Sequence, residues 1–388
     1  MTTSASARTA TTTLSREPAL LLIIVAIFNW VALMLYARSV TLDFTGLYTG
    51  GMLLLHGQHH QLYNLATQAT EQARLFHFQS PLPYNHLAYE ALLFAPLAAL
   101  SFHTALWVWR VLNVAVLLMS VHGLSALFAL PRPMVALLLL AFLPVSLAVV
   151  QGQDSLLLLA AITGCLCMLQ QRRGFAAGLL LSCACFKPHL VLPLAIVLLL
   201  RREIRFAFGF ACGAIAWVAL SIAVTGLDGW WQMIALLRYE ASGTSGLAAD
   251  GAWSHPNLIG ALLSLHLAPP LTQMLYVLLA ASLLAATAWK MRAVPSLQQV
   301  AAVTLALTVL VAPHITLHDF TLLVVPIFTL SLRVVRAPSL LYAIGLALCY
   351  AMFPLMVLGP LSFFLLAAYV MWSAMGVATQ STAETSHS

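Results

Sequence analysis

Five short polar groups interrupt an otherwise apolar chain, and their residue types suit proton transfer and anion binding. They are Asp43; Tyr84–Asn85–His86; Gln151–Gly152–Gln153–Asp154; Lys187–Pro188–His189; and His314 with His318–Asp319. Together they offer a base, hydrogen-bond donors and a cation. Lys187, one of two lysines in the chain, stands between the apolar runs 174–186 and 190–200. A charge there is expensive unless it meets an anion. A lipid phosphate is a natural partner for the point charge of a lysine, and a lysine snorkelling to the headgroup zone is the alternative. Asp43 lies in TLDFTGLY, just after the first long apolar run. A carboxylate at a bilayer surface in so apolar a chain is a functional-site hypothesis; the plainer reading is a helix N-cap. Asp319 also reads as an N-cap, while His318 is either a donor or acid–base helper at a phosphate or a structural histidine. The run His56–Gly57–Gln58–His59–His60 resembles a metal cluster, yet no Cys or carboxylate stands at ligand spacing, so no metal is assigned. There is no Walker loop and no dinucleotide fingerprint. A reaction here needs a substrate activated in advance and carried by the membrane, and no cofactor is expected.

The elements that must position these groups follow from composition. The chain has 388 residues, 62% hydrophobic and 7% charged, where a soluble protein carries about a quarter charged residues. Long unbroken apolar runs exclude a β-barrel, whose segments are short and alternating. The fold class is an all-α polytopic membrane protein. The net charge of +6 is spread through short loops, so it marks topology and not a nucleic-acid surface. The six cysteines all fall inside apolar runs and read as small buried hydrophobes. The run that begins at Pro18 is too long for a signal-peptide core and reads as a retained anchor.

Twelve apolar runs are helix candidates, and the segment Leu87 to Leu100 decides the topology. If it only dips into the outer surface, Arg132, Arg172, Arg173, Arg201, Arg202, Arg205, Lys290, Arg292, Arg333 and Arg336 share a side with Arg8 and Arg16. The positive-inside rule selects that arrangement, with about twelve crossings and both termini cytoplasmic. Eight acids then face outward and only Glu17, Glu203 and Glu384 inward. Residues 18–378 form one domain between disordered tails at 1–17 and 379–388, with outer loops at 38–103 and 226–270. Their aromatics suit amphipathic helices lying at the interface. Several runs fall short of the ~20 residues needed to cross hydrocarbon, which would recess Phe186–His189 and Thr316–Phe320 into a wet cavity.

The order of these signatures resembles glycosyltransferase family 87. The matching pieces are LDFTGLYTGGMLLLHGQHHQLYN, PYNHLAYEALLFAPLAAL with LWVWRVLNVAVL, VVQGQDSLLLLAAI, RRGFAAGLLLSCACFKPHLVLPLAIVLLLRR, SHPNLIGALLSL and HITLHDFTLLVVP. The chain departs from the family in two places. It reads Pro83–Tyr84–Asn85–His86 where the family commonly has Tyr-Pro-Pro, and it keeps only Asn257 of an Asn-Gln-Ser pattern. The resemblance implies a GT-C-like bundle in the cell (inner) membrane with its active site on the extracytoplasmic side. It implies an inverting transfer, most plausibly of mannose with arabinofuranose second, from a polyprenyl-phosphate sugar donor to a glycolipid or glycan acceptor, with no metal. Asp43 would be the general base, and Lys187, His189 and His318 would meet the donor phosphate, with His318 also a catalytic helper. Tyr48, Tyr84, Asn85, Gln153, Asp154, Asn257 and Asp319 complete the expected substrate-binding set. A transporter or lipid flippase is the alternative, but such proteins place ionisable groups near the midplane at a repeat interface, whereas here they gather at one face.

Overall fold

Inside a bilayer every backbone N–H and C=O must find a partner within the protein, so long apolar runs fold as helices. The computed structural model describes residues 16–37, 42–76, 82–241, 256–336, 340–352 and 360–375, and every regular element among them is helical. The first half of the chain forms α1 (Arg16–Tyr36), α2 (Phe44–Leu55), α3 (Leu65–Phe76), α4 (Ala88–Ala98), α5 (Phe102–Phe128), α6 (Arg132–Ala141), α7 (Leu143–Gln151), α8 (Ser155–Gln170) and α9 (Gly174–Ser182). The second half forms α10 (Pro188–Leu200), α11 (Ile204–Ala241), α12 (Leu258–Leu263), α13 (Pro269–Met291), α14 (Leu297–Val311), α15 (Val324–Arg336), α16 (Leu340–Tyr350) and α17 (Pro360–Met375), with a 3₁₀ segment Leu317–Leu323 before α15.

Among the described residues four helices are long and apolar enough to cross a membrane: α1, α5, α11 and α13. The count is five if α6 and α7, bent by 73° at their junction, are one broken span. The expected twelve crossings would have to enlist the shorter helices. Several of those lie inside the bundle; α14 is buried along nearly its whole length. The sequence reads 134–150 as one run, but the chain breaks at Phe142, which is extended, with Pro144 in the first turn of α7. Proline lacks an N–H and is tolerated in a first turn, where no helical partner is needed.

One further expectation changes. The first outer loop was to hold interfacial helices, yet α2 is buried from Phe44 to Leu54; α3 is the amphipathic one. At Gly226, the expected start of the second outer loop, α11 is broken by a non-helical φ of 75° and ψ of 173°, and a second helical stretch continues to Ala241. α4 has eleven residues and rises about 17 Å, short of a crossing of about 30 Å, as α9 and α10 also are.

α9 packs along α11, and the approach is close because glycines face each other. A Cβ on Gly178 would strike the Phe206 carbonyl, and one on Gly209 the Phe175 carbonyl. Small residues at such crossings let helix backbones meet without a hydrophobic driving force.

Candidate functional site

α5 grips the turn between α7 and α8 with three side chains on one face. The Trp109 indole donates to the Gly152 carbonyl at 2.9 Å, the Arg110 guanidinium to the Val150 carbonyl, and the Asn113 amide to the Gln153 carbonyl at 2.9 Å. Gly152 has φ +70°, and a Cβ there would lie 2.9 Å from both Phe44 Cβ and Leu106 Cδ1. This turn delivers Asp154 to the start of α8, where its side chain makes no cap hydrogen bond and is free for ion pairing. α3 fixes the segment 82–87 through two glutamines. Gln68 accepts from the Tyr84 N–H at 2.6 Å, and Gln72 accepts from the Leu82 N–H at 2.9 Å and donates to the Leu82 carbonyl at 2.7 Å. After α9, successive tight turns carry the chain to Lys187, and Pro188 opens α10. The 3₁₀ segment starts with a capping box between Thr316 and Asp319.

These devices bring ionisable groups from five segments into one network. The Lys187 ammonium donates to Asp319 Oδ1 at 2.7 Å and to Ser155 Oγ at 3.2 Å, and forms an ion pair with Asp154 Oδ1 at 2.7 Å. Ser155 in turn donates to Asp319 at 2.8 Å. Lys187 is 5% exposed, Asp319 2% and Asp154 fully buried. Buried charges of this kind persist only when paired and hydrogen-bonded. On one side, His86 Nδ1 lies 3.2 Å from Asp154 and 2.6 Å from Glu90, which is itself fully buried. Burial by itself favours a neutral ring, but Glu90 and then Asp154 overrule it and push His86 up to about 10. On the other side, His318 lies 3.6 Å from Asp319 and 3.3 Å from Asp43 Oδ2. The series runs Glu90, His86, Asp154, Lys187, Asp319, His318, Asp43. Asp43, with a side chain 23% exposed, is its open end.

Asp43 stands at the N-cap position of α2 but makes no cap hydrogen bond, so the plain capping role does not account for it. Asp319 is not the N-cap it was expected to be: Thr316 holds that position, and Asp319, at the third residue of the 3₁₀ segment, accepts from the Thr316 N–H at 3.4 Å and pairs with Lys187 as well. Where the sequence suggested a lipid phosphate as the partner of Lys187, the protein itself supplies two carboxylates.

The other expected site residues divide. Gln153 and Asn85 are half-buried beside the network, and the Asp154 N–H donates to Gln153 Oε1 at 3.4 Å. His189 Nε2 is buried with no hydrogen-bond partner among the described residues. Tyr48 donates its hydroxyl to the Leu100 carbonyl at 2.8 Å, Tyr84 to the Leu87 carbonyl at 2.8 Å, and Asn257 its amide to the Ala312 carbonyl at 2.6 Å. Those three hold backbone, and Tyr84 also touches the network, 3.5 Å from Glu90.

Sequence reasoning missed Glu90, Ser155 and Thr316 as site residues and left His86 unassigned. Glu90 carried a usable signal, being an acid inside the apolar run AYEALLFAPLA. His86, Glu90 and Asp154 lie with their ligand atoms within 4.8 Å of one another, the geometry of a metal cluster. His86 and the Lys187 ammonium on Asp154 already bring the positive charge that a cation would supply. The His56–His60 run forms no such group among the described residues; His60 instead contacts the Thr225 carbonyl at 2.9 Å.

Residues 89–326 match the model of glycosyltransferase family 87. No curated protein and no solved structure matches the chain. The matched stretch takes in every member of the charge network except Asp43 and His86.

Proposed function

Because the chain belongs to glycosyltransferase family 87, we propose that it transfers a sugar with inversion from a polyprenyl-phosphate donor to a glycolipid or glycan acceptor. Mannose is the favoured sugar and arabinofuranose the second choice. The positive-inside reading puts the site on the extracytoplasmic side of the cell membrane, within a GT-C-like bundle whose shorter helices complete the crossings. The observation that carries the reading is the carboxylate of Asp43, open to substrate and backed by His318 at 3.3 Å.

In this reaction Asp43 takes the proton of the acceptor hydroxyl as its oxygen attacks the anomeric carbon. The bond from that carbon to the phosphate oxygen breaks, and polyprenyl phosphate leaves with the bonding electrons. An ordinary carboxylate is a weak base, and holding the hydroxyl against it makes up the difference. His318, between Asp43 and Asp319, orients the base and faces the departing phosphate. His189, whose buried Nε2 has no hydrogen-bond partner among the described residues, meets the same phosphate. Lys187 acts on it through its field, because its ammonium is surrounded by protein acceptors. A fixed positive charge in a dry site stabilises developing negative charge without reorganising. Gln153 and Asn85, half-buried at the edge of the network, are the candidates for hydrogen bonds to the sugar.

The test is Asp43→Asn in purified protein, assayed for release of polyprenyl phosphate from a panel of polyprenyl-phosphate sugars. Loss of a general base predicts a fall of about 10²–10⁴ in turnover. The unfolding temperature should stay unchanged, since the side chain is part-exposed and makes no cap bond. Full turnover in this variant would remove Asp43 from the mechanism.

A further inference from the structure

A groove of about 530 Å³ runs along α10 between α13 and residues 311–313. Its α10 wall is one helix face, His189, Leu192, Pro193, Ile196, Val197 and Leu200, a length of about 17 Å. Leu192, Ile196 and Leu200 are also exposed on the outside of the protein, so the groove opens sideways toward lipid. Its two ends differ. One is closed by Arg292, whose guanidinium already stacks on the Trp289 ring at 3.2 Å. The other is made by His189 and Pro313, on the two segments that continue directly into Lys187 and into His318–Asp319.

A buried polar atom without a partner calls for an explanation, and His189 Nε2 is such an atom at the head of this groove. The apolar walls suit a hydrocarbon chain, and the imidazole suits an anionic oxygen where that chain ends. We propose that the groove holds the prenyl chain of the lipid-linked donor, led from its phosphate at His189 down the face of α10. This rests on the transferase reading above and names where the donor enters it. A membrane phospholipid seated the other way, with its phosphate at Arg292, is the competing occupant.

The experiment uses the full-length protein and a prenyl phosphate carrying a benzophenone at its tail. Irradiation followed by peptide mapping should place the label on α10 or α13. Excess undecaprenyl phosphate should remove it, and phosphatidylglycerol should not. Ile196→Trp and Ala285→Trp fill the groove from exposed positions, where a larger side chain leaves the core intact. Each should cut labelling and raise KM for a long-chain donor by about tenfold, while KM for a methyl-phosphate-linked sugar, which carries no chain to enter the groove, stays unchanged. Label elsewhere, equal competition by phosphatidylglycerol, or Trp variants that behave as wild type overturn the groove. If transfer runs from prenyl-phosphate sugars while the label maps elsewhere, the groove fails and the transferase reading stands. If the label maps as expected but no prenyl-phosphate sugar is used, the reading fails and the groove stands.

Discussion

Replacing Lys187 by Met keeps most of the length of the side chain and removes its charge. Asp154 and Asp319, each 2.7 Å from the lost ammonium and both buried, then share a dry space without their common cation. Breaking a buried ion pair from one side costs about 3–5 kcal/mol. A second route leads to a similar figure. If one carboxylate takes a proton instead, moving it from a reference pKa near 3.9 to neutrality at pH 7 costs about 4 kcal/mol. That is about a thousandfold in the folding equilibrium. The second route also predicts the pH dependence. Protonation becomes easier as pH falls, so the deficit of Lys187→Met relative to wild type should shrink by about 1.4 kcal/mol per unit below pH 7. Adding Asp319→Asn removes one of the two stranded charges and should recover a large part of the loss, a non-additivity typical of residues in contact. The assay is unfolding of the purified proteins in detergent, followed at pH 7 and pH 5. A Lys187→Met variant within about 0.5 kcal/mol of wild type, the range of an unremarkable surface substitution, would refute the reasoning. So would a deficit that grows toward acid.

Three other outcomes follow from the same geometry. His86 is raised from 6.5 to about 10 in the folded protein, so folding favours its protonated form. Its contribution to stability is complete below about pH 6.5 and is lost as pH rises toward 10; the gap in unfolding free energy between wild type and His86→Gln should narrow over that interval, and a constant gap would count against the pairing with Glu90. Gly152→Ala should lower the unfolding temperature, since a left-handed backbone costs a residue with a Cβ about 1–2 kcal/mol and the Cβ also meets Phe44 and Leu106 at 2.9 Å. Gly152→Asn tolerates that backbone but keeps the clash, so rescue by Asn would show that the contact does not matter. For topology, cysteines at the exposed positions Gln58 and Arg172 should react with impermeant reagents from opposite sides of the membrane, and labelling from one side would overturn the positive-inside assignment.

What the sequence determined by itself is what depends on the solvent preference of each residue. An abundance of apolar side chains and a near absence of charges specify helices in lipid, whatever their arrangement. The few polar interruptions, expensive in that setting, marked Asp43, Asp154, Lys187, His318 and Asp319 before any coordinates. The local signal at Asp319 was off by one turn: expected as an N-cap, it stands at the third position of the 3₁₀ segment and closes the capping box on Thr316, which is the N-cap. Partnership is another matter. Lys187 meets carboxylates 33 positions before it and 132 after it, and no local pattern encodes such distances. Glu90 stayed hidden because a single acid in the short apolar run of α4 says nothing of the histidine four residues earlier that neutralises it. The same holds for α2. Its composition fits an interface helix, but packing against α4 buries it, and so moves Asp43 from a membrane surface to the mouth of a charged network. Tertiary structure decided these points because the energy of a buried charge lies in the groups around it, and only the folded chain brings them to between 2.6 and 3.6 Å of one another.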